Sequence, residues 1–416
     1  VEYTKPLNIP KQLVFQAYKL VKSNSGSAGI DKQTIEDFER NLKDNLYKLW
    51  NRLASGSYFP PPVKTVTIPK KSGGERHLGI PTVSDRIAQM VVKLAFEPEV
   101  EPFFDQDSYG YRPNKSALDA IGITRKRCWW TSWVLEFDIK GLFDNISHPL
   151  LMKAVKKHTN NKWVILYVER WLQAKIVRPD GTVEDRIKGV PQGGVISPIL
   201  ANLFLHYVFD TWMRKQYPET SWCRYADDGL VHCKTKYQAE KLLYELHQRF
   251  GECQLELHPD KTKIIYCNNS RYKMNYPHKE FDFLGYSFRD RWSINPETKV
   301  LFLGFNPAVS KSSIKSMRAK TRKLNIRNRT DQSLEQIASF FNPIIRGWIE
   351  YYGKYGKAGL APVLRHINLT LMAWLMRKHK KLYGRKSVAA RIMLETAKKR
   401  PDLFAHWKQG MQGVFA

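Results

Sequence analysis

Three carboxylates are the residues best placed to do chemistry. Asp227 and Asp228 stand side by side in RYADDGLVH, residues 224–232, and Asp138 closes the apolar run in EFDIKGLFD. Adjacent carboxylates repel one another, so the doublet calls for a cation, even in a chain of formal charge +29. Asp-Gly between apolar runs is also a common hairpin turn, with Gly229 supplying the positive φ that such a turn needs. Taken alone, the doublet reads as an ordinary solvated turn sooner than as a catalytic pair. Asp138 changes the balance, because a carboxylate at the end of an apolar strand is held by a rigid element, as a metal ligand should be. If it folds next to the 227/228 turn, the three groups can hold two Mg²⁺ ions about 3.5 to 4 Å apart, the arrangement that displaces pyrophosphate from a nucleoside triphosphate. Hard oxygen ligands suit Mg²⁺, and its binding relieves the repulsion.

The elements that must position these groups alternate between helix and hairpin. Residues 32–54 read as helical, and VKTVTIPKKSGGERHLGIP, residues 63–81, reads as a β-hairpin closed by a Gly-Gly turn. Helical spacing returns from Ser84 to about Phe96. TSWVLEFDIKGLFDNI, residues 131–146, reads as a buried strand entering a turn or helix start. In GGVISPILANLFLHYVFDTWM the reading makes Ser197 the N-cap and Pro198 a first-turn residue of a long amphipathic helix. SWCRYADDGLVHCKT is then strand, turn, strand, and residues 237–250 are helical. After about residue 305 strand signals vanish, and helices are predicted near 311–324, 333–353, 362–382 and 387–399.

At 416 residues the chain suggests two or three packed units. An apolar share of 43% with 26% charged residues is that of a folded soluble protein and argues against disorder as the main theme. Lys and Arg number 68 against 39 Asp and Glu, the excess expected of a protein that approaches phosphates, and 12 Trp with 20 Tyr offer surfaces for stacking bases. The last 111 residues hold 23 Lys and Arg against 5 Asp and Glu, which marks the C-terminal region as a basic module. The five cysteines form no CxxC pair and leave an odd count, which argues against a disulfide framework or zinc site and for a reducing, cytoplasmic setting. No apolar run reaches membrane-spanning length and the start, VEYTKPLNIPKQ, lacks the apolar core of a signal peptide, so no membrane partner is expected.

Eight segments in order carry a family resemblance: IPKKSGGERHLGIP, SYGYRP, FDIKGLFDNI, GVPQGGVISPILANLFLHYVFD, RYADD, HPDKTKII, FLGYSF and IIRGWIEYYGKYG. Across almost its whole length the sequence resembles the reverse transcriptases and maturases encoded by group II introns. The resemblance implies an α+β, right-hand polymerase: fingers and palm over residues 1–305, with an antiparallel palm sheet bearing the aspartates, then an all-helical thumb or maturase domain over 306–416. It implies RNA-directed DNA synthesis, adding dNTPs to the 3′-hydroxyl of a DNA or RNA primer on an RNA template with two Mg²⁺ ions. It also implies binding of group II intron RNA to assist splicing, and of target DNA in intron mobility.

Position by position, the family's metal ligands and catalytic groups fall on Asp138, Asp227 and Asp228. Lys70 and Arg76 match fingers residues that grip the incoming triphosphate, a task suited to a point charge and a bidentate guanidinium. Phe143 matches the aromatic residue that packs under the sugar and excludes a 2′-hydroxyl. Gln192, Gly193 and Gly194 match a loop near nucleotide and template, where glycines allow close backbone approach. Arg112 and Lys261 match template or primer contacts. Asp144 is assigned to structure, its side chain expected to point away from Asp138's face of the strand. The chain departs from the family where Gly141 and Leu142 interrupt the acidic-basic-aromatic run that often follows the first metal ligand. With no cysteine after Cys267 and no clustered His pair, the endonuclease of many relatives is expected to be absent. An RNase H site is rejected for want of about four convergent carboxylates. Two other readings stay open: a splicing factor whose polymerase is vestigial, and an intron-derived reverse transcriptase of defence or repair. Against the first, a binding module gains nothing from desolvated carboxylates.

Overall fold

β-Branched residues in Val63–Pro69 (β1) and the short run Glu75–Ile80 (β2) pair antiparallel, with Lys64 opposite Ile80 and Pro69 opposite Glu75. The structure, a computed structural model, describes residues 5–69, 74–267, 276–294 and 297–412. Further strands are Trp133–Asp138 (β3), Ile176–Val177 (β4), Val183–Glu184 (β5), Trp222–Tyr225 (β6), Asp228–Cys233 (β7) and Lys263–Tyr266 (β8). One sheet runs β2-β1-β4-β5, and in another β7 lies between β6 and β3. By packing, the chain forms two compact units, Val1–Ser116 with Leu135–Lys263, and Ala117–Val134 with Ile264–Ala416. This division does not coincide with the functional one read from the sequence at residue 305.

In the first unit the sequence's single helix over 32–54 is two, Ile35–Arg40 and Leu42–Ala54, broken where Asn41 leaves helical geometry (φ −126°, ψ 46°). Thr34 caps the first by accepting the Asp37 amide while the Asp37 carboxylate accepts the Thr34 amide. Ser197 is the first residue of its helix, Ser197–Leu205, and not the cap, with Pro198 in the first turn as expected. The helical path continues through a π-helical turn, His206–Asp210, into Thr211–Gln216. Phe137 of β3 packs on Phe209 and Phe250, ring centroids 4.9 and 5.8 Å away, and all three are at most 1% exposed. Burial of each such ring contributes roughly 1.5 to 3 kcal/mol, which anchors the strand that ends at Asp138.

The second unit has a three-stranded sheet, ordered β11-β10-β9, from Phe281–Phe283 (β9), Tyr286–Ile294 (β10) and Leu301–Val309 (β11). The FLGYSF segment makes the β9–β10 turn through Leu284 (φ 51°) and Gly285 (φ 80°). Helices Lys311–Lys323, Leu334–Gly356, Ala361–Lys378 and Lys386–Lys399 follow, close to the predicted spans. Their apolar faces bury Ile337, Phe341, Ile367 and Leu371 in one core, which Trp407 of the following short helix, Ala405–Lys408, completes.

This core contains a pH-sensitive element. His406, fully buried, meets Asn368 Oδ1 through Nε2 at 2.7 Å, while its Nδ1 is buried without a partner. Burial pushes its pKa down to about 3, because protonation would create a buried N–H with no acceptor. The unfolded chain's histidine titrates near about 6.5, so the unfolded state takes up a proton that the native state refuses. Stability contributed by neutral His406 is therefore present above that value and lost as pH falls from about 6.5 towards 3. Thermal melting followed over this range should show that loss, and His406→Gln should flatten it; an unchanged slope would exclude His406 as the cause.

Candidate active site

β3 delivers Asp138 at its C-terminal end, and the β6–β7 hairpin delivers the doublet. Tyr225 pairs with Asp228, so Ala226 and Asp227 form the turn, with Ala226 carrying the positive φ of 56°. The expectation that Gly229 makes this turn is thus corrected. Gly229 lies inside β7, where an added Cβ would stand 2.0 Å from the Phe137 ring. It is glycine because the two carboxylate-bearing strands approach closely there. A non-glycine residue in left-handed conformation costs about 1 to 2 kcal/mol, so surrounding structure must hold the turn.

Arg224 is the main holdfast. Its side chain is wholly buried, and its Nε and Nη2 donate to Asp210 Oδ1 and Oδ2 at 2.7 and 2.6 Å. Nη2 also donates to Ser108 Oγ (2.8 Å), and Nη1 to Asn202 Oδ1 (3.2 Å) and the Ala226 carbonyl (3.1 Å). All five guanidinium donors are used, one on the strained turn itself. Asn202 Nδ2 donates to the Gly110 carbonyl at 2.7 Å, and a Cβ on Gly110 would meet the Ala226 nitrogen at 2.4 Å. The π-helical turn sets Asp210 in place, and Arg249 donates to two carbonyls of that turn, those of Tyr207 and Val208. Sequence reasoning missed this network because its members lie in three separated motifs and one further helix and carry no local signal of contact.

Asp138 and Asp227 are half-buried and Asp228 is exposed. Desolvation, then the charge of Asp138, pushes the Asp227 carboxyl up, and desolvation, then Asp227 and Asp138, pushes Asp228 up. Water reaching Asp228 moderates its desolvation, whereas repulsion within the group persists because Asp228 and Asp138 are close enough to share a hydrogen bond. Lys261, matched in the sequence to a template or primer contact, lies with Nζ 3.0 Å from Asp138 Oδ2 and its side chain half-exposed at the cleft, so here it neutralises a carboxylate. The His258 amide, donating to the Asp138 carbonyl at 2.8 Å, fixes the loop that carries it. Among the described residues no three carboxylate, imidazole or thiolate groups stand in metal-holding geometry. The donor set nevertheless fits a hard divalent cation, which would supply the positive charge the crowded carboxylates need after displacing the Lys261 ammonium from Asp138.

Asp138, Asp227 and Lys261 line a cleft of about 730 Å³ whose lining also includes Arg76, Phe143, Asp144 and Gln192. Arg76 Nε donates to Gln192 Oε1 at 2.7 Å, and Gln192 Nε2 to Asp144 Oδ2 at 3.3 Å. Lys70 lies outside the described residues. Gly141, left-handed at φ 56° and ψ 45°, turns the chain from β3 into the short helix Leu142–Asn145, which explains the departure at this position. Phe143, 7% exposed, therefore lines the cleft from a helix. Asp144 is on that helix too, so the argument from strand alternation fails and its carboxylate shares the cleft with Asp138. Gly193 and Gly194 serve the protein's own packing: an added Cβ would stand 2.4 Å from the Gly79 carbonyl oxygen and 2.5 Å from Ser197 Oγ respectively. The Gly79 amide donates to the Gln192 carbonyl at 2.6 Å, tying this loop to β2. Arg112 does not present a charge to nucleic acid. Its side chain is 7% exposed, with Nε and Nη2 on Glu101 Oε1 and Nη1 on the Asp105 and Ser108 carbonyls.

A strand pair and turn holding crowded carboxylates beside a cleft, followed in the chain by a basic helical region, is an α+β arrangement consistent with a polymerase of the reverse transcriptase type. Residues 68–288 match the reverse transcriptase (RNA-dependent DNA polymerase) family, and residues 314–392 match the group II intron maturase-specific domain. The chain belongs to the reverse transcriptase family. It is 33% identical over 299 residues to Protein YkfC of Escherichia coli, covering 61% of this chain and 77% of that protein. It is 32% identical over 197 residues to the group II intron-encoded protein LtrA of Lactococcus lactis, covering 47% of this chain and 32% of that one. Among solved structures, Candida albicans telomerase in complex with a fragment of telomeric RNA is similar at a TM-score of 0.46 and 13% identity, over 92% of this chain and 69% of that chain. The maturase-specific match makes RNA the partner class of the C-terminal region.

Proposed function

We propose that the chain copies RNA into DNA by two-Mg²⁺ nucleotidyl transfer and that its basic C-terminal region binds group II intron RNA to assist splicing and mobility. The observation that supports the first half is that Asp138 and Asp227 line one cleft with Arg76, while Asp228 stands close enough to Asp138 to share a hydrogen bond. Residues 1–305 act as fingers and palm and 306–416 as thumb. Asp138, Asp227 and Asp228 would hold the two ions, which would supply activation of the primer hydroxyl and stabilisation of the leaving pyrophosphate. Arg76, with Lys70, binds the triphosphate, and Gln192 braces the Arg76 guanidinium. Phe143 excludes the 2′-hydroxyl by bulk. Phe143→Ala should accordingly lower dNTP-over-rNTP selectivity in primer extension on an RNA template, by about tenfold or more for a discrimination of steric origin. Unaltered selectivity would return Phe143 to the core.

The second half rests on the charge of the tail. Lys380, Lys381, Arg385 and Lys386 are exposed, have no ion pair among the described residues, and flank the exposed Tyr383, a surface suited to phosphates and a stacked base. Neighbouring Arg377 and Lys378 are engaged with Asn328 and with the Thr330 and Gln332 carbonyls, so they hold a loop. Neutralising the first four should reduce the slope of log affinity for intron RNA against log salt by about one unit per lost phosphate contact and lower assisted splicing. Extension on short template-primers at low salt should persist. An unchanged slope and unchanged splicing in this variant would remove this patch from the RNA-binding surface.

A further inference from the structure

Behind Gln192 lies a second cavity, of about 230 Å³, that shares His77, Asp144 and Gln192 with the wall of the active cleft. Arg178, Arg186 and Lys188 also line it. Arg178, the other arginine of this cavity, is paired with Glu184, and Arg76 of the active cleft donates through Nε to Gln192. Arg186 differs. It makes no hydrogen bond or ion pair with the described residues, and its Nε is buried without an acceptor. Asp144 is its acidic neighbour, near enough to act through charge alone, while that carboxylate accepts from Gln192. Lys188 also lacks an acidic partner among the described residues, its Nζ donating to the neutral Asn145 Oδ1 at 2.9 Å. Burial without a partner disfavours a charged guanidinium, and the group that offsets this cost most directly is an oxyanion able to accept two parallel N–H bonds.

We propose that this pocket binds one phosphate group of the nucleic-acid substrate, with Arg186 as its principal ligand and Lys188 as an auxiliary charge. The proposal rests on the polymerase reading, because a phosphate that continues from the cleft past Gln192 belongs to a substrate lying in that cleft. Two sources share the chemistry: a phosphodiester of the single-stranded template ahead of the primer end, and the terminal phosphates of the incoming nucleotide. Asp144, between pocket and cleft, limits the site's net charge, so the pocket should take a singly charged phosphodiester more readily than the multiply charged triphosphate tail.

The experiment compares the full chain with Arg186→Ala, Arg186→Lys and Lys188→Ala on template-primers whose RNA template overhang is zero, two or six nucleotides long. Binding is measured by fluorescence anisotropy without dNTP, and the KM for dNTP by single-nucleotide extension. For the template source, Arg186→Ala weakens binding about tenfold on overhung substrates and leaves the blunt duplex unaffected, its salt slope falling by about one unit. Arg186→Lys, keeping charge without the bidentate fork, recovers part of the loss. If instead the KM for dNTP rises about tenfold while binding is unchanged, the phosphate site stands and its occupant is the nucleotide. Unchanged binding at every overhang together with an unchanged KM overturns the proposal. Melting curves identify any variant that fails to fold, in which case Arg186→Lys and Lys188→Ala decide on the same criteria. A parent chain that binds overhung template but does not extend it would refute the polymerase reading while the overhang comparison still tests the pocket.

Discussion

Asp227→Asn is expected to reduce primer extension on an RNA template by about a hundredfold or more, since a metal-held site supplies several kcal/mol of charge stabilisation and each 1.4 kcal/mol is worth about tenfold in rate. The substitution removes one charge from a crowded group, with Asp138 and Asp228 repelling the native side chain. The variant should therefore melt at the same temperature as the parent or higher in the absence of divalent cations. RNA affinity should stay near the parent's, because the basic tail is untouched. This combination of lost turnover with undiminished stability distinguishes a functional carboxylate from a structural one. Retention of more than a few per cent of normal extension would remove Asp227 from the ligand set.

Arg224→Met should have the largest effect on folding. Removing one partner of a fully buried ion pair leaves an uncompensated charge and costs about 3 to 5 kcal/mol, here on Asp210, which is also 0% exposed. The double variant Arg224→Met with Asp210→Leu should recover most of that stability, because apolar residues of similar volume replace buried pairs at little cost. Extension should not recover with it. The Ala226 carbonyl and Ser108 hydroxyl lose their donor in both variants, so the turn that presents Asp227 and Asp228 loses its brace. Denaturant unfolding and single-turnover extension on the same preparations would separate the two effects. If Arg224→Met unfolds within about 1 kcal/mol of the parent, or the double variant extends normally, the brace is not what fixes the turn.

Much of this was legible in the sequence because the signals are local. The β1–β2 hairpin follows from β-branched runs, the C-terminal helices from apolar spacing, and the carboxylate pair from its sequence adjacency. What was not legible depends on contacts between distant segments. RYADDG reads as an Asp-Gly turn, yet the chain turns two residues earlier, at Ala226 and Asp227, because Gly229 is required inside β7 against Phe137. Arg112 and Lys261 read as contacts for nucleic acid because a cation's partner is invisible in sequence; one is buried on Glu101 and the other sits on Asp138. Asp144 was placed by strand alternation, which ended at Gly141 where the backbone turned left-handed. The sheet of β9 to β11 carries little local signal beyond FLGYSF, because its strands pair with one another across the turn and the segment that follows.

The most direct test of the central claim is the stoichiometry of single-nucleotide addition. The full chain is given an RNA template, an annealed primer and one complementary dNTP, and primer extension and pyrophosphate release are measured with Mg²⁺ and with chelator. The account predicts one pyrophosphate per nucleotide added, dictated by the templating ribonucleotide and abolished by the chelator. A chain that binds the template-primer tightly and assists splicing, yet releases no pyrophosphate and extends no primer with Mg²⁺ or Mn²⁺, would contradict it and leave an RNA-binding splicing factor with a vestigial polymerase site.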